Sequence, residues 1–417
     1  MSHLGSSTCG TMMSATSGID RLVVVGASLA GLRAVESARA LGFAGTIVLV
    51  GDEKHLPYDR PPLSKQLLNG ADASFTFHGE EHYREELDVE LRLGSPAVEL
   101  DPWSKTVTTS QGPVAYDAAI LATGASPREL PGLSHLPGVT SLRTLDDALR
   151  LRGALARGRR LLIVGAGFIG AEVASAARKR GLPVTIVEAS QYPLERALGR
   201  DMGVALSLMH ERNGVDIRMD TMIVKVNRNG DEITGVQLSD GTTVECNFIL
   251  VSIGAVPNSA WLSASGIALA SDGGVMCDTY LESSLLGVYA AGDVAHFPNR
   301  MTGREARIEH WTSANEQGAI AARNALGIER TPYETVPYVW SDWYDNRIQF
   351  VGRTSDKAPT IVSGSVEADK FIALYRDGPQ VVGAVSVNEP GRIMKERRRI
   401  AQKASWAEAL DAHRATA

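Results

Sequence analysis

The chain has 417 residues, of which 44% are hydrophobic and 22% are charged, and its net charge is -6. This length predicts two or three domains, and the composition is typical of a packed globular protein. The acidic balance argues against a general nucleic-acid binder. No apolar run approaches the roughly 20 residues that a membrane span requires. We therefore expect a cytoplasmic protein with no nucleic-acid partner and no membrane span.

The first residues and the cysteines carry little chemistry. Residues 1–19 are rich in Ser, Thr and Gly and lack both a cationic start and an apolar core, so they predict a disordered extension rather than a signal peptide. Cys9, Cys246 and Cys277 form no close pair, and none lies beside a histidine at metal-ligand spacing. We expect isolated thiols in a reducing compartment and no metal site.

One pattern of apolar runs and glycines occurs twice in the chain. An apolar run at 22–25 is followed by a glycine turn, an Ala-rich helix and a second apolar run at 46–50. The same plan recurs from 161–164 to 184–187. Continuous apolar runs joined by a helix are typical of a buried parallel sheet. The sequence therefore predicts an α/β protein with two doubly wound dinucleotide-binding domains.

Later segments complete the predicted architecture. Short strands are expected within 91–123 and 216–251, and a buried strand at 287–290. Apolar runs at 371–375 and 381–385 flank an Arg-Asp-Gly turn, which predicts an antiparallel hairpin. A basic helix is expected to close the chain, so residues 327–417 predict a C-terminal α+β domain.

The second glycine turn matches the complete dinucleotide fingerprint. Gly165 permits the tight turn, Gly167 lets the backbone approach a pyrophosphate, and Gly170 allows close packing of helix on strand. Phe168 and Ile169 lie between them, where the helix N-terminus offers free N–H groups to phosphate. Glu188 ends the next strand, where a carboxylate accepts hydrogen bonds from ribose hydroxyls. We prefer dinucleotide binding to a plain packing turn.

The first glycine turn departs from the fingerprint at one position. It comprises Gly26, Ser28, Leu29, Ala30 and Gly31, and Ser28 stands where the middle glycine is expected. The Ser28 Cβ would crowd a phosphate, which weakens the signal. A purely structural turn remains an alternative when this segment is considered alone.

Acidic residues and three short segments add to the predicted cofactor site. Asp52 and Glu53 follow the second strand of the first unit, where acids are expected. Gly292 and Asp293 follow a buried strand, so that a carboxylate and a helix N-terminus reach one site. An Asp that caps a helix is the common alternative. The dinucleotide interpretation is favoured because other turn segments complete the set: Ala122-Thr123-Gly124 and residues 253–258, including Gly254.

With these motifs the chain resembles the FAD-dependent pyridine-nucleotide oxidoreductases. Within them it is similar to oxygenase-coupled ferredoxin reductases of the putidaredoxin reductase, biphenyl and toluene dioxygenase reductase and rubredoxin reductase type. The matching residues span about 20–400 and include residues 61–65, 142–144, 291–294 and 340–342 besides the two turns. The resemblance implies an FAD domain at 20–116 and 248–326, split by an inserted NAD domain at 117–247.

The resemblance also implies roles for individual residues. Lys65 and Glu172 would form an ion pair near flavin N5, where hydride arrives. Arg60, Arg143 and Asp293 would contact FAD, and Trp340 would line the flavin or nicotinamide face. An ordinary surface pair is the alternative for Lys65 and Glu172, and core packing is the alternative for Trp340. Trp343 departs from the family, in which glutamine usually follows Trp-Ser-Asp.

The implied activity is NADH-dependent reduction of a small iron–sulfur ferredoxin through FAD. The ferredoxin would feed a Rieske dioxygenase or a haem-thiolate monooxygenase. Disulfide reductases of the superfamily place a Cys-x4-Cys pair where this chain has residues 55–65 without cysteine, so thiol exchange has no reagent. Reduction of a quinone or monodehydroascorbate, and NADH sensing of the apoptosis-inducing-factor type, remain alternatives.

Two further expectations concern specificity. Glu188 should repel the 2′-phosphate of NADPH, because the nearest cation, Arg196, lies eight residues further on. The C-terminal cations predict either a solvated helix face or a docking patch for an acidic ferredoxin. This patch consists of Arg392, Lys395, Arg397, Arg398, Arg399 and Lys403.

Overall fold

The structure is a computed structural model that describes residues 18–71 and 74–414. The extension expected at 1–19 therefore lies almost entirely outside the described residues. Within the described part, no helix is long and apolar enough to cross a membrane. The α-helices there are α1 (Leu29–Ala40), α2 (Pro61–Ser64), α3 (Leu145–Ala156), α4 (Phe168–Lys179), α5 (Glu195–Leu198), α6 (Arg200–Arg212), α7 (Trp311–Ala325), α8 (Pro390–Ala401) and α9 (Trp406–Arg414).

The first parallel sheet has five strands. Strand Arg21–Val25 lies between Thr46–Val50 on one side and Ala118–Leu121 on the other, in parallel register. Its residues 22–25 are buried on both faces, as the continuous apolar run predicts. The sheet is completed by the edge strands, Val89–Arg92 and Val288–Ala290. Helices α1 and α7 pack against each other beside this sheet.

The second parallel sheet repeats the plan. Strand Leu161–Val164 lies between Val184–Val187 and Phe248–Val251, and α4 follows it as α1 follows the first strand. The outer strands are Asp216–Arg218 and Val139–Thr140. The two predicted doubly wound units are confirmed, since each apolar run forms a buried parallel strand.

Strand pairing moves both predicted domain boundaries. The boundary expected at 116/117 would assign Ala118–Leu121 to the inserted domain, but this strand belongs to the first sheet. The boundary expected at 247/248 would assign Phe248–Val251 to the first unit, but this strand belongs to the second sheet. The chain crosses between the sheets at a two-stranded ribbon formed by Ala125–Pro127 and Ala255–Pro257. An apolar run indicates burial but does not indicate which sheet receives the strand.

Two small antiparallel sheets and one small mixed sheet flank the parallel ones. The expected short strands are present. Each small sheet is formed by a segment that connects elements of one of the two large units. The first small sheet consists of Ala97–Asp101, Thr106–Thr109 and Gly112–Ala115, and the second consists of Ile223–Asn229, Glu232–Leu238 and Thr243–Val244. The third consists of Val275–Met276, Ala295–Asn299 and Arg304–Arg307, and its first two strands are parallel to each other.

The C-terminal segment forms a five-stranded antiparallel sheet. The predicted hairpin is confirmed, because Lys370–Asp377 pairs with Gln380–Val387 in antiparallel register. The other strands are Tyr338–Trp343, Asn346–Gly352 and Thr360–Ser365. The basic helix is α8, but it does not close the chain, since α9 follows it. The expected α+β character of this segment is confirmed.

Candidate active site

A cleft of about 1470 Å³ receives both glycine turns and the start of the C-terminal sheet. The residues that line it come from chain segments far apart in sequence. They include these residues singled out from the sequence: Gly26, Ser28, Leu29, Ala30, Asp52, Glu53, Arg60, Lys65, Ala122, Thr123, Gly124, Arg143, Gly165, Gly167, Phe168, Ile169, Glu172, Glu188, Gly254, Gly292, Asp293 and Trp340.

Gly31 and Gly170 are exceptions, since neither lines the cleft. A Cβ on Gly31 would lie 1.9 Å from the carbonyl oxygen of Gly26, and a Cβ on Gly170 would lie 2.6 Å from that of Gly165. Both distances are far below van der Waals contact. These two glycines therefore act by letting helix and strand approach, and they do not touch a ligand themselves.

Gly26 and Gly165 are required by backbone geometry. Gly26 has φ +123 and Gly165 has φ +106, a region that favours glycine. A Cβ on Gly26 would also lie 2.0 Å from the carbonyl oxygen of Ala122. Gly167 differs, because a Cβ there would meet nothing within 4 Å. The protein itself leaves the space beside Gly167 open, as close approach of a pyrophosphate requires.

Ser28 fits the first turn without strain. Its φ of -119 belongs to ordinary extended backbone, and it precedes α1 as the N-cap residue. Its Oγ accepts a hydrogen bond from Arg60 Nε at 3.2 Å. The hydroxyl is therefore tied to Arg60, and the helix N-terminus still presents its N–H groups to the cleft.

The two predicted acids after the second strand are not equivalent. Glu53 accepts hydrogen bonds from Arg60 Nη2 and from Tyr58 Oη, each at 2.6 Å. Arg60 also donates to the carbonyl of Arg143 at 2.7 Å, so Glu53 belongs to an internal network. Asp52 is exposed at the cleft. Asp52 is therefore the less encumbered acceptor for ribose hydroxyls.

Glu188 lies directly beside the second glycine turn. Its Oε2 accepts a hydrogen bond from the backbone N–H of Ala166 at 2.8 Å, and its Oε1 accepts one from Ser190 at 2.8 Å. These bonds fix the carboxylate at the cleft wall, with lone pairs left for hydroxyl donors. Arg196, on helix α5, also lines the cleft.

Arg143 and Asp293 form an ion pair across the cleft wall. Arg143 Nη2 donates to Asp293 Oδ2 at 2.8 Å. A Cβ on Gly124 would approach the same guanidinium, at 3.3 Å, so the turn and the pair are in contact. His310 lines the wall nearby, and burial lowers its pKa to about 4 against the opposing influence of Asp293. Its Nδ1 is buried with no hydrogen-bond partner among the described residues.

Lys65 and Glu172 meet between the two glycine turns. Lys65 Nζ lies 2.7 Å from Glu172 Oε1, and the Glu172 side chain is only 3% exposed. Ser64 Oγ donates to the other carboxylate oxygen. The surface-pair alternative is excluded by this burial, because the pair forms part of a desolvated network at the cleft.

The C-terminal sheet completes that network. Ser341 Oγ donates to Glu172 Oε1 at 2.5 Å, and Trp343 Nε1 donates to Ser341 Oγ at 2.7 Å. Trp343 is 1% exposed and packs beside Phe168 and His210. Trp343 therefore lies in the core and orients Ser341, and it does not line the cleft wall.

Trp340 lies within a row of three aromatic rings. Its ring centroid is 5.8 Å from that of Tyr338 and 6.1 Å from that of Trp311. Trp311 Nε1 donates to Asp59 Oδ1 at 2.7 Å. Trp311 and Trp340 both line the cleft, so Trp340 is a wall residue and a packing residue at once.

Sequence reasoning missed several residues of the site. His310 and Trp311 start α7 at the cleft, and Ser64 and Ser341 hold Glu172. A polar and aromatic pair directly before a long helix was the available signal for the first two. Residues 340–342 carry part of the family resemblance, but nothing local indicates that Ser341 bonds to Glu172, since Glu172 lies on helix α4, 169 residues away.

The described cysteines lie away from the cleft lining. Cys246 is 2% exposed, and burial raises its pKa to about 12. Burial also raises the pKa of Cys277 to about 12. Both are free thiols in protonated form, unsuited to nucleophilic exchange.

The C-terminal basic residues divide into two groups. Arg397 is held in place, since it donates to the carbonyl of Val336 at 2.9 Å and lies 3.4 Å from Glu316. Glu396, which lies within this run of cations in the sequence, is buried and pairs with Arg399 and His413. Arg392 donates to Ser363 Oγ at 2.6 Å. The exposed cations are Lys395, Arg398 and Lys403.

Comparison with known proteins identifies the class. Residues 20–318 match the pyridine nucleotide-disulphide oxidoreductase family, and residues 338–417 match the reductase C-terminal family. The chain belongs to the pyridine nucleotide-disulphide oxidoreductases and carries the reductase C-terminal domain. The resemblance inferred from the motifs is confirmed.

Comparison with individual proteins is more specific than comparison with the two families. Rhodocoxin reductase of Rhodococcus erythropolis is 36% identical over 91% of this chain and 89% of its own. The ferredoxin–NAD(+) reductase component of the p-cumate 2,3-dioxygenase system of Pseudomonas putida is 37% identical, over 93% and 94%. The crystal structure of the covalent putidaredoxin reductase–putidaredoxin complex matches with a TM-score of 0.87 and 30% identity, covering 92% of this chain and 93% of that one.

Proposed function

We propose that this chain is an FAD-dependent NADH:ferredoxin oxidoreductase that supplies an oxygenase with electrons. The observation that carries the proposal is that both glycine turns open into one cleft, with the buried Lys65–Glu172 pair between them. Two dinucleotide sites that share a cleft bring two redox cofactors together. Two of the similar proteins support this choice of acceptor: one is the ferredoxin–NAD(+) reductase component of a dioxygenase system, and the other is putidaredoxin reductase in complex with putidaredoxin.

The first turn and its surroundings fit FAD. The glycine turn leads into the N-terminus of α1, and Asp52 lies at the end of the adjoining strand, as pyrophosphate and ribose require. The Arg143–Asp293 pair would lie along the ribityl and phosphate part. The Nδ1 atom of His310 is buried in this wall and has no hydrogen-bond partner among the described residues. A bound cofactor would supply that partner.

The second turn and Glu188 fit NADH. The open space beside Gly167 admits a pyrophosphate, and the anchored carboxylate of Glu188 would accept bonds from ribose hydroxyls. A 2′-phosphate would meet the same carboxylate and be repelled. The proposal therefore favours NADH over NADPH.

When bound, FAD supplies the exchange between two-electron and one-electron chemistry. The residues of the chain align the two cofactors and hold charge in place. Glu172 and its donors Ser64 and Ser341 fix the position of the Lys65 ammonium, which would set the field beside the reacting ring. Trp311 and Trp340 would shield that ring from water.

The acceptor would dock beside the aromatic row. Trp340 contacts Tyr338, and the guanidinium of Arg397 on α8 lies 6.0 Å from the Tyr338 ring. Helix α8 thus adjoins the edge of the cleft through Tyr338. Its exposed cations, Lys395 and Arg398, would attract an acidic iron–sulfur protein. Arg397 itself holds the helix in place, so the docking patch predicted from the sequence is reduced to the exposed cations.

A direct test compares three acceptors. The purified protein, supplied with NADH, should reduce an acidic iron–sulfur ferredoxin from an oxygenase system at many turnovers per second. A quinone and monodehydroascorbate should be reduced far more slowly. Faster reduction of either small acceptor would reject the ferredoxin assignment, and a stable NADH complex without turnover would favour a sensing role. The proposal places the enzyme in the cytoplasm, where its free thiols persist.

A further inference from the structure

A cluster of two histidines and one glutamate lies away from the cleft. Glu36 is on α1, and His78 and His82 lie on the segment that precedes strand Val89–Arg92. One ligand atom from each of the three lies within 4.8 Å of the other two. None of the three is among the residues that line the cleft. The cluster is therefore separate from the cleft in which electron transfer is proposed.

The donor atoms of the cluster converge. His78 Nε2 lies 3.2 Å from Glu36 Oε1, and the imidazole rings of His78 and His82 stack with centroids 3.9 Å apart. Ligands at about 2.0–2.1 Å from a tetrahedral Zn²⁺ are separated by about 3.4 Å. The distance of 3.2 Å between His78 Nε2 and Glu36 Oε1 is close to this ligand–ligand separation. The third ligand, His82, needs only an adjustment of its side chain to reach the same ion.

Other side chains hold the ligands in place. Glu86 Oε2 lies 2.8 Å from His82 Nδ1, which fixes the ring and directs Nε2 away from Glu86. That Nε2 is buried and has no hydrogen-bond partner among the residues that the structure describes. Arg33 binds Glu36 Oε2, which leaves Oε1 to His78. A carboxylate behind a histidine and an unsatisfied second nitrogen are features of metal-binding histidines.

The backbone at the cluster is unusual as well. Residues His82–Glu86 form a single π-helical turn, closed by a hydrogen bond from the Leu87 N–H to the His82 carbonyl at 2.9 Å. Such turns are rare and often occur at functional sites. Here the turn carries both His82 and the glutamate that orients it.

We propose that Glu36, His78 and His82 bind a divalent transition metal of the Zn²⁺ class, with water as the fourth ligand. Two imidazoles and one carboxylate suit Zn²⁺ and do not suit Mg²⁺ or Ca²⁺, which prefer oxygen ligands. The ion would link α1, which starts at the first glycine turn, to the π-helical turn. Glu86 is a positioning residue, since it would act through His82.

Calorimetric titration of the chelator-treated, FAD-loaded protein with Zn²⁺ tests the proposal. The intact protein should bind one ion more tightly than the His78→Ala/His82→Ala double variant does, and Mg²⁺ and Ca²⁺ should not compete. The Glu86→Gln variant should lose about 10- to 100-fold in affinity. His55→Ala is the matched control, because His55 also pairs with a single carboxylate, Asp146, at 3.1 Å.

Co²⁺ provides a second measurement. The intact protein loaded with Co²⁺ should show the visible absorption of a low-symmetry site with nitrogen ligands, and the double variant should not. His82→Asn, which preserves polarity, serves if the alanine variant fails to fold, as its flavin content would reveal. Equal Zn²⁺ affinity in the intact protein and the folded variants would overturn the proposal.

Discussion

Ser341 Oγ donates to Glu172 Oε1 at 2.5 Å, which joins the C-terminal sheet to helix α4 through a buried hydrogen bond. Lys65 Nζ reaches the same oxygen at 2.7 Å. Three segments of the chain thus meet at one carboxylate. The position of the Lys65 ammonium at the cleft depends on all of them.

Neutralising this ion pair should slow electron entry more than it weakens cofactor binding. In Lys65→Met and Glu172→Gln, the rate of flavin reduction by NADH should fall about 10- to 100-fold, since a charged hydrogen bond contributes about 1.5–3 kcal/mol. FAD affinity should change little, because neither residue belongs to the first glycine turn or to α1, which would hold the FAD phosphates. Stopped-flow loss of flavin absorbance measures the rate.

Lys179→Met is the matched control for that experiment. Lys179 lies on the same helix as Glu172 and pairs with Asp345, but this pair is exposed, with 40% of the Lys179 side chain and 83% of the Asp345 side chain accessible to solvent. Its removal should leave the reduction rate unchanged. Unchanged rates in Lys65→Met and Glu172→Gln as well would reduce the buried pair to a structural role.

Removing the Ser341 hydroxyl should destabilise the protein. In Ser341→Ala the buried carboxylate loses a donor and Trp343 Nε1 loses its acceptor, so the free energy of unfolding should fall by about 1–3 kcal/mol. Urea unfolding of the FAD-loaded protein measures this. Ser207→Ala, whose hydroxyl bonds to a carbonyl on an exposed surface, should change stability far less. Equal effects of the two substitutions would argue against the network.

Glu188 should determine the preference between the two nicotinamide cofactors. In Glu188→Gln the kcat/KM ratio of NADH to NADPH should fall about 10- to 100-fold, since one unpaired charge contact is worth about 1–3 kcal/mol. Glu195→Gln is the control, because Glu195 also lines the cleft. An unchanged ratio in Glu188→Gln would remove this role from Glu188.

Buried His210 should make the protein less stable in mild acid. It is 3% exposed, and burial lowers its pKa to about 4, whereas the unfolded chain titrates near 6.5. Below pH 6.5 the unfolded state therefore binds an extra proton, and the free energy of unfolding falls by up to about 1.4 kcal/mol per pH unit until about pH 4. His210→Gln should lower this slope, as urea unfolding at pH 7, 6 and 5 would show. An identical slope would mean that His210 binds protons equally in the native and unfolded states, contrary to the lowered pKa.

The sequence revealed the parts of the fold that depend on local pattern. The apolar runs around Gly26 and Gly165 predict both parallel sheets, because a buried strand and its following turn are encoded by neighbouring residues. The partner strand is not encoded locally. The boundary predicted at 116/117 is wrong for this reason, since Ala118–Leu121 pairs within the first sheet. Contacts in the site between distant segments cannot be predicted from the sequence for the same reason. Ser341 is 169 residues from Glu172.

The sequence also does not show which residues in a run of charges are exposed. The sequence grouped Arg397 with the exposed cations of α8, but Arg397 lies against Glu316, 81 residues away. A run of basic residues shows how much charge a helix carries. It does not show which side chains are neutralised by distant parts of the chain, and only the structure separates Arg397 from Arg398.

The exposed cations of α8 should steer the acceptor. Lys395→Glu/Arg398→Glu should raise the KM for an acidic ferredoxin about 10-fold or more at low salt, because opposite charges speed encounter. NADH-dependent ferricyanide reduction should be unaffected, since neither residue lines the cleft. The difference between the variant and the intact protein should shrink as salt rises, because charges are screened over about 8–10 Å near physiological ionic strength.

Lys105→Glu/Arg157→Glu makes the same change of net charge at exposed positions outside α8. If the effect is local to the patch, this control should leave the KM for ferredoxin close to that of the intact protein. An equal rise in both double variants would show that overall charge governs encounter. No rise in either, together with ferredoxin turnover indifferent to salt, would mean that the cations of α8 form only a solvated face. Arg397→Glu is unsuitable for this test, because it would break the bonds to Val336 and Glu316 and loosen the helix itself.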